Sequence, residues 1–354
     1  MVNDARRVIV CESRVPFVTG GAELHVENLA RAVKAEGHQA DVVSMPYEWD
    51  PPEKILKSCL LWRMLDLEET PTGEIDLLLA TKFPTYAAKH HNKVAWVFHQ
   101  HRSAYELEGT IYDDFSRHDG AREFRELVTG LDRRFLGECR KVFATSENVA
   151  SRLNRSCGIE SEVLYHPPPF EGRHRSGDYG DDVLIVGRLE PLKRVDLAIN
   201  AMKLVREPSA RLRIVGRGFL APTLEQLARE EDVAGNISFE GFVPDEELLE
   251  LYANAACVLY VPFDEDYGYS TLEAFASARP VITTDDSGGP LEFVKDGETG
   301  RVVPARPAEV AGAIDEMIAD RRRAKRLGEA GRERIEGISW RNVMDRLVKP
   351  FMPC

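Results

Sequence analysis

"CVLYVPFDEDYGYSTLEAFASA", residues 257–278, joins an apolar run to a helix-forming run through a short acidic loop with one glycine. That order predicts a strand, a turn at Gly268 and a helix starting at once. Glu265 and Glu273 flank the turn, and Tyr269, Ser270 and Thr271 follow it. A glycine turn feeding a helix presents backbone N–H groups at the positive end of the helix dipole, where a phosphate fits. The same residues also read as a capping box, with Glu273 folding back onto the Ser270 N–H.

The strand–turn–helix unit recurs on both sides. "DVLIVGRL", "RLRIVGRG", "NISFEGF" and "PVITTDD" alternate with helices over Val195 to Val205, Pro222 to Glu231 and from Asp245. In the first half "RRVIVCE", "ADVVSMP", "IDLLLATK", "KVAWVFHQ" and "KVFATS" do the same, with a first helix from about Glu23 to Glu36. Near-continuous apolar strands separated by helices predict parallel sheets covered on both faces. A chain of 354 residues suits two cores. The Pro- and Gly-rich stretch 166–182, "HPPPFEGRHRSGDYGDD", reads as the linker. The expected organisation is α/β: a Rossmann-like domain over 1–170, a second over 180–338, and a C-terminal helix over 339–354 packing back toward the first domain. Two such domains are expected to face each other across a cleft, with ligands at the C-terminal edges of the strands.

Composition narrows the function classes. With 43% apolar and 30% charged residues and a net charge of -13, the chain reads as soluble and globular, not as a nucleic-acid binder. Its cysteines (Cys11, Cys59, Cys139, Cys157, Cys257, Cys354) show neither C-x-x-C pairs nor metal-ligand spacing and read as reduced thiols of a cytoplasmic protein. The start carries no signal-peptide pattern, and no apolar run approaches the about 18 residues of a spanning helix. "KILKSCLLWRML", Lys54 to Leu65, is the candidate for peripheral membrane contact and equally suits a core-packed helix. Oligomeric state has no signature in the sequence.

Other strand ends carry charge. In "VGRLEPLKRVD", Arg188 and Lys193 follow Gly187 and would balance a diphosphate, one as a fork and the other as a point charge; singly, each also reads as an ordinary surface residue. "VTGGAELHV" places Gly20 and Gly21 before a helix, but G-x-G-x-x-G is missing, which removes the main support for a dehydrogenase. His99 ends a strand and either positions a sugar hydroxyl or is a satisfied structural histidine. Beyond it, the irregular segment from Gln100 to Phe115 carries Arg102 and Tyr105, which suit a hydroxyl-rich acceptor; an ordinary surface insertion is the other reading.

Taken in order, Gly20-Gly21-Ala22-Glu23, "GRLEPLKRVD", "IVGRG", "FEGFVPDEEL", the E-x7-E of Glu265 and Glu273, and "SGGPLEFVKDGETGRVVP" resemble the retaining glycosyltransferases of family 4 (glycosyl transferases group 1), which have the GT-B fold. The resemblance implies transfer of a hexose from a GDP- or UDP-sugar to a sugar or lipid-linked hydroxyl acceptor, in polysaccharide, glycolipid or glycoconjugate biosynthesis. It implies no metal and no cofactor besides the donor. By it, Glu265 faces the donor sugar near the anomeric centre, and Glu273 holds the ribose hydroxyls. The turn from Gly268 through Tyr269, Ser270 and Thr271 cradles the diphosphate, and Arg188 and Lys193 neutralise the leaving group. Phe242 and Val243 lie beside the base, and His99 lies on the sugar or acceptor side. Gly20, Gly21 and Gly187 let ligand approach the backbone. Contact with the inner membrane face is at most peripheral. The alternatives are another GT-B enzyme (a nucleotide-sugar epimerase or an inverting transferase) and a non-catalytic nucleotide-sugar-binding subunit. Two departures stand out: Arg194 replaces the usual Gly after the lysine, and "YHPPP" replaces the usual Asn-Gly. Arg194 is expected either to add charge at the phosphates or to point to solvent.

Overall fold

Leu77–Ala80 and Lys93–Val97 are buried at every position, as strands covered on two faces must be. Their side chains alternate: Leu77 and Leu79 pack with Val8, Val26 and Leu29, whereas Leu78 and Ala80 pack with Ile55, Trp62 and Leu153. These strands belong to a computed structural model that describes residues 5–18 and 20–352. The chain divides into two units, residues up to His166 together with those from Ile338, and Pro167–Gly337.

In the first unit, β1 (Arg7–Arg14), β2 (Gln39–Pro46), β3 (Leu77–Ala80), β4 (Lys93–Val97), β5 (Lys141–Ala144) and β6 (Glu162–Val163) form one parallel sheet. Its order is β2-β1-β3-β4-β5-β6, so the winding reverses between β1 and β3. One face is covered by α1 (Gly21–Ala35) and by Val343, Met344, Leu347 and Val348 of the C-terminal segment. The other is covered by α2 (Glu53–Met64), α3 (Ala121–Gly137) and α4 (Glu147–Cys157). In α2, Ile55, Cys59 and Trp62 face the core while Leu60, Leu61 and Met64 are exposed. Among the described residues no helix is long and apolar enough to cross a membrane.

The second unit repeats the plan with β7 (Asp182–Val186), β8 (Arg211–Val215), β9 (Ile237–Gly241), β10 (Cys257–Leu259), β11 (Val281–Thr284) and β12 (Gly300–Val303). The order β9-β8-β7-β10-β11-β12 is the doubly wound arrangement, reversing between β7 and β10. The helices are α5 (Val195–Met202), α6 (Ala221–Glu230), α7 (Asp245–Asn254), α8 (Tyr269–Ala276), α9 (Pro290–Phe293), α10 (Pro307–Ala319) and α11 (Arg321–Arg334). Asp320 separates the last two by accepting the Arg323 N–H at 2.9 Å, an N-cap.

The stretch read as a linker is docked. Arg279 is fully buried, with its guanidinium 3.7 Å from the Tyr179 ring centroid and 2.7 Å from Gly177 O. His174 bonds Ser277 Oγ at 3.0 Å and Pro169 O at 2.9 Å. A fixed planar cation on an aromatic face ties residues 174–179 to the second unit. Cys11, Cys59, Cys139, Cys157 and Cys257 are free thiols; Cys354 lies outside the described residues.

Candidate functional site

The reversal between β7 and β10 is where an open parallel sheet leaves room for a ligand. The loop after β10 carries Tyr260 and Glu265, and the turn after β7 carries Lys193. The Tyr260 hydroxyl donates to Glu265 Oε2 at 2.9 Å, Lys193 Nζ lies 3.2 Å from the same hydroxyl, and Lys193 pairs with Glu265. Burial, then the Glu265 charge, pushes the Tyr260 phenol well up, so it stays a donor. Lys193 and Glu265 keep 19% and 15% of their side-chain surface exposed, enough to meet a ligand and too little for water to screen them fully.

Gly268 makes the turn, and no other residue fits it. Its φ is +92°, and a Cβ there would lie 2.9 Å from both the Tyr260 ring and the Pro290 ring. Helix α8 starts at the next residue. Thr271 is fully buried, and its hydroxyl has no hydrogen-bond partner. The Ser270 hydroxyl donates to Val186 O at 2.8 Å, tying the helix start to the end of β7.

The capping-box reading of Glu273 is overturned. The N-cap is Gly268, not Ser270, so Glu273 stands a full turn inside the helix. Its buried carboxylate accepts the Tyr252 hydroxyl at 2.8 Å. Burial pushes the carboxyl up to about 7, and the Tyr252 bond only partly opposes this.

Neither expectation for Arg194 holds. The residue adopts the left-handed conformation natural to glycine, φ +47°, and its guanidinium turns inward. It donates to Val261 O at 2.8 Å, Pro262 O at 2.7 Å, Thr284 Oγ1 at 2.7 Å and both oxygens of Asp286. Arg188 is exposed and pairs with Glu190 at 2.8 Å. Phe242 is 68% exposed beneath the Arg217 guanidinium, 5.5 Å from its ring centroid, while Val243 is buried.

The remaining nominated residues lie in the first unit. The Gly20 N–H donates to Glu23 Oε2 at 2.9 Å, and Lys82 holds Oε1 at 2.9 Å. Burial opposes ionisation of Glu23, yet Lys82 and the Gly20 N–H outweigh it and hold the carboxyl below its usual range. Gly21 opens α1. His99 follows β4 with Nδ1 2.8 Å from Gln100 O, so Nδ1–H donates to that carbonyl. Arg102 is engaged by Glu106 at 2.5 Å, and Glu106 also pairs with Arg152. The Tyr105 hydroxyl donates to Asp132 at 2.7 Å, and Asp132 also accepts from Tyr86 and Gln100. Asp132 is fully buried, and desolvation raises its carboxyl to about 6.

Glu68, His90 and His91 bring three potential metal-ligand atoms within 4.8 Å. His90 is committed elsewhere: Nδ1 accepts the Asn92 N–H at 3.0 Å, which makes Nε2 the donor to Ile75 O at 3.0 Å. Sequence reasoning missed Tyr252, Tyr260, Arg217 and Asp286. Both tyrosines interrupt apolar runs next to the glutamates' own elements, which was the available signal.

The family model for glycosyltransferase family 4 matches residues 19–168, and that for glycosyl transferases group 1 matches residues 172–334. An uncharacterized glycosyltransferase of Methanocaldococcus jannaschii is 25% identical over 95% of both chains. A GDP-mannose-dependent alpha-(1-6)-phosphatidylinositol monomannoside mannosyltransferase of Mycobacterium tuberculosis is 36% identical over 56% of this chain, a match spanning only 58% of that relative. Sucrose-phosphate synthase from Thermosynechococcus elongatus shares the fold, with a TM-score of 0.76 at 18% identity over 95% of this chain and 96% of that one. Since the two models match in tandem and the fold is shared along nearly the whole chain, the protein belongs to the GT-B glycosyltransferases of family 4.

Proposed function

We propose that the protein is a retaining glycosyltransferase that moves a hexose from a GDP- or UDP-sugar to a hydroxyl acceptor. The observation that carries this reading is the grouping of Lys193, Glu265 and Tyr260 at the sheet's reversal point, beside the Gly268 turn. Breaking the bond from the anomeric carbon to the phosphate oxygen puts negative charge on the departing diphosphate. Lys193, Arg188 and the amides from Gly268 to Thr271 are the fixed positive groups that would stabilise it without a metal. An incoming diphosphate competes for the Lys193 ammonium and so frees Glu265 to turn to the sugar. The buried Thr271 hydroxyl would gain its missing acceptor from a phosphate oxygen. Glu273 would accept from the ribose hydroxyls, Phe242 would cover the base, and His99 would bond a hydroxyl on the sugar or acceptor side. In retention the acceptor hydroxyl attacks on the leaving-group side and its proton passes to the departing phosphate oxygen. The similarity to the mycobacterial relative, a GDP-mannose-dependent mannosyltransferase, supports a nucleoside-diphosphate donor.

The test is incubation of the purified protein with UDP-, GDP- and ADP-hexoses, reading nucleoside diphosphate release and, by NMR, the anomer formed. Release from one donor with its anomeric configuration kept is the expected result. No release from any donor would refute transferase activity, and an inverted product would refute retention.

A further inference from the structure

Tyr260 is the first residue beyond β10, where a phenol breaks the apolar run "CVLYVPF". The fold holds it from several sides. Its N–H donates to Ile282 O at 2.9 Å, so its backbone continues the pairing of β10 with β11. Its ring packs under the Gly268 turn, where a Cβ would meet it at 2.9 Å. The Phe263 N–H donates to Leu192 O at 2.8 Å, which ties the loop after Tyr260 to the residue before Lys193. Only 6% of Tyr260 is exposed.

The hydroxyl stands between opposite charges. It donates to Glu265 Oε2 at 2.9 Å and lies 3.2 Å from Lys193 Nζ, which sits 5.5 Å from the ring centroid. Lys193 pairs with the same carboxylate oxygen. The ammonium rides on a flexible four-carbon stem and can follow an anion, whereas the phenol is mounted on the strand end and cannot. A diphosphate that takes Lys193 therefore removes the mobile donor from Oε2 and leaves the fixed one. We infer that Tyr260 is a positioning residue, whose hydroxyl is the pivot on which the Glu265 carboxylate turns when a nucleoside diphosphate draws Lys193 away. Held at Oε2, the carboxylate swings through a limited arc and presents its other oxygen to the donor sugar. Without the pivot it follows the ammonium, and the ion pair competes with the diphosphate. The inference rests on the transferase reading above for the presence of a sugar, while the competition is measured with nucleoside diphosphate alone.

The experiment is a double-mutant cycle of Tyr260→Phe and Glu265→Gln on the full chain. Calorimetry with UDP, GDP and ADP gives the affinities, and donor hydrolysis gives kcat and KM. Wild type should bind at least one of the three. Tyr260→Phe, which keeps the ring under Gly268, should weaken that nucleotide by about fivefold and lower kcat by about tenfold. In the Glu265→Gln background the same change should leave the affinity within about twofold, because a neutral amide does not compete for the ammonium. A phenol that only supports the fold would give equal losses in both backgrounds, and that result overturns the inference, as does a Tyr260→Phe chain that matches wild type in affinity and kcat. Wild type that binds none of the three nucleotides overturns it too. Binding without turnover of any donor would instead count against the transferase reading alone, and the affinity cycle would then decide the pivot.

Discussion

Arg194 holds Asp286 by both guanidinium branches, Nη1 to Oδ2 at 2.7 Å and Nη2 to Oδ1 at 2.6 Å, 92 residues apart in the chain. The same side chain caps the carbonyls of Val261 and Pro262, at the root of the loop that carries Glu265. Because Lys193 is its neighbour, Arg194 fixes where the ammonium meets that glutamate.

Arg194→Gly should therefore lower turnover by about tenfold and lower the melting temperature, because relief of the left-handed backbone, about 1 kcal/mol, offsets only part of the five lost side-chain bonds. Asp286→Asn keeps the carbonyl bonds of Arg194 and should lower the melting temperature less. Steady-state kinetics and thermal melts of both variants check this. Equal melting losses with wild-type kinetics would reduce Arg194 to a stabilising contact.

Lys193→Ala should cut turnover by at least about a hundredfold, as removal of a preorganised charge from a developing anion does elsewhere. Glu265→Gln should act mainly on the rate, and Glu273→Gln mainly on nucleotide affinity. Donor hydrolysis and nucleoside-diphosphate titrations separate the three. A near-normal rate in Lys193→Ala would remove the phosphate site from the mechanism.

The raised Glu273 carboxyl sets a pH dependence. Its value is about 7 in the folded chain against 4.5 for the unperturbed group. The folded state therefore holds the proton more tightly, and this contribution to stability is complete below about 4.5 and lost as pH rises through about 7. Its size is on the order of 3 kcal/mol. Melts from pH 5 to 8 should fall more steeply for wild type than for Glu273→Gln, which keeps a neutral acceptor for Tyr252. Parallel curves would mean that the glutamate is ionised throughout.

Tyr105→Phe should destabilise the protein by about 1–2 kcal/mol, because it removes one donor from the buried Asp132. Nucleoside-diphosphate affinity should not change. Chemical denaturation gives the stability change. An unaltered midpoint would show that the hydroxyl serves a ligand instead.

How much was legible follows from the range of the interactions. Both sheets could be read because β3, β4 and β10 are short apolar runs whose burial leaves only one pattern. Gly268 was legible because its turn is local. Glu273 was ambiguous because a capping box and a ligand carboxylate share the same local string; the N-cap at Gly268 removes the first, and its partner Tyr252 lies 21 residues away. Arg194 was misread for the same reason, since its partners lie 67 to 92 residues downstream. Arg102 and Tyr105 have the composition of a binding loop, and only the fold brings Arg152 and Asp132 to them.

The first unit is also interrupted: Val343, Met344, Leu347 and Val348 complete a face laid down by Val8, Val10, Leu77 and Leu79. At roughly 5–20 residues per second, a ribosome takes on the order of ten to thirty seconds to traverse Pro167–Gly337. For that interval the nascent sheet carries an uncovered apolar stripe while its neighbour is able to fold. Biosynthesis thus closes the first-made unit last, and the stripe is where a chaperone would hold the growing chain.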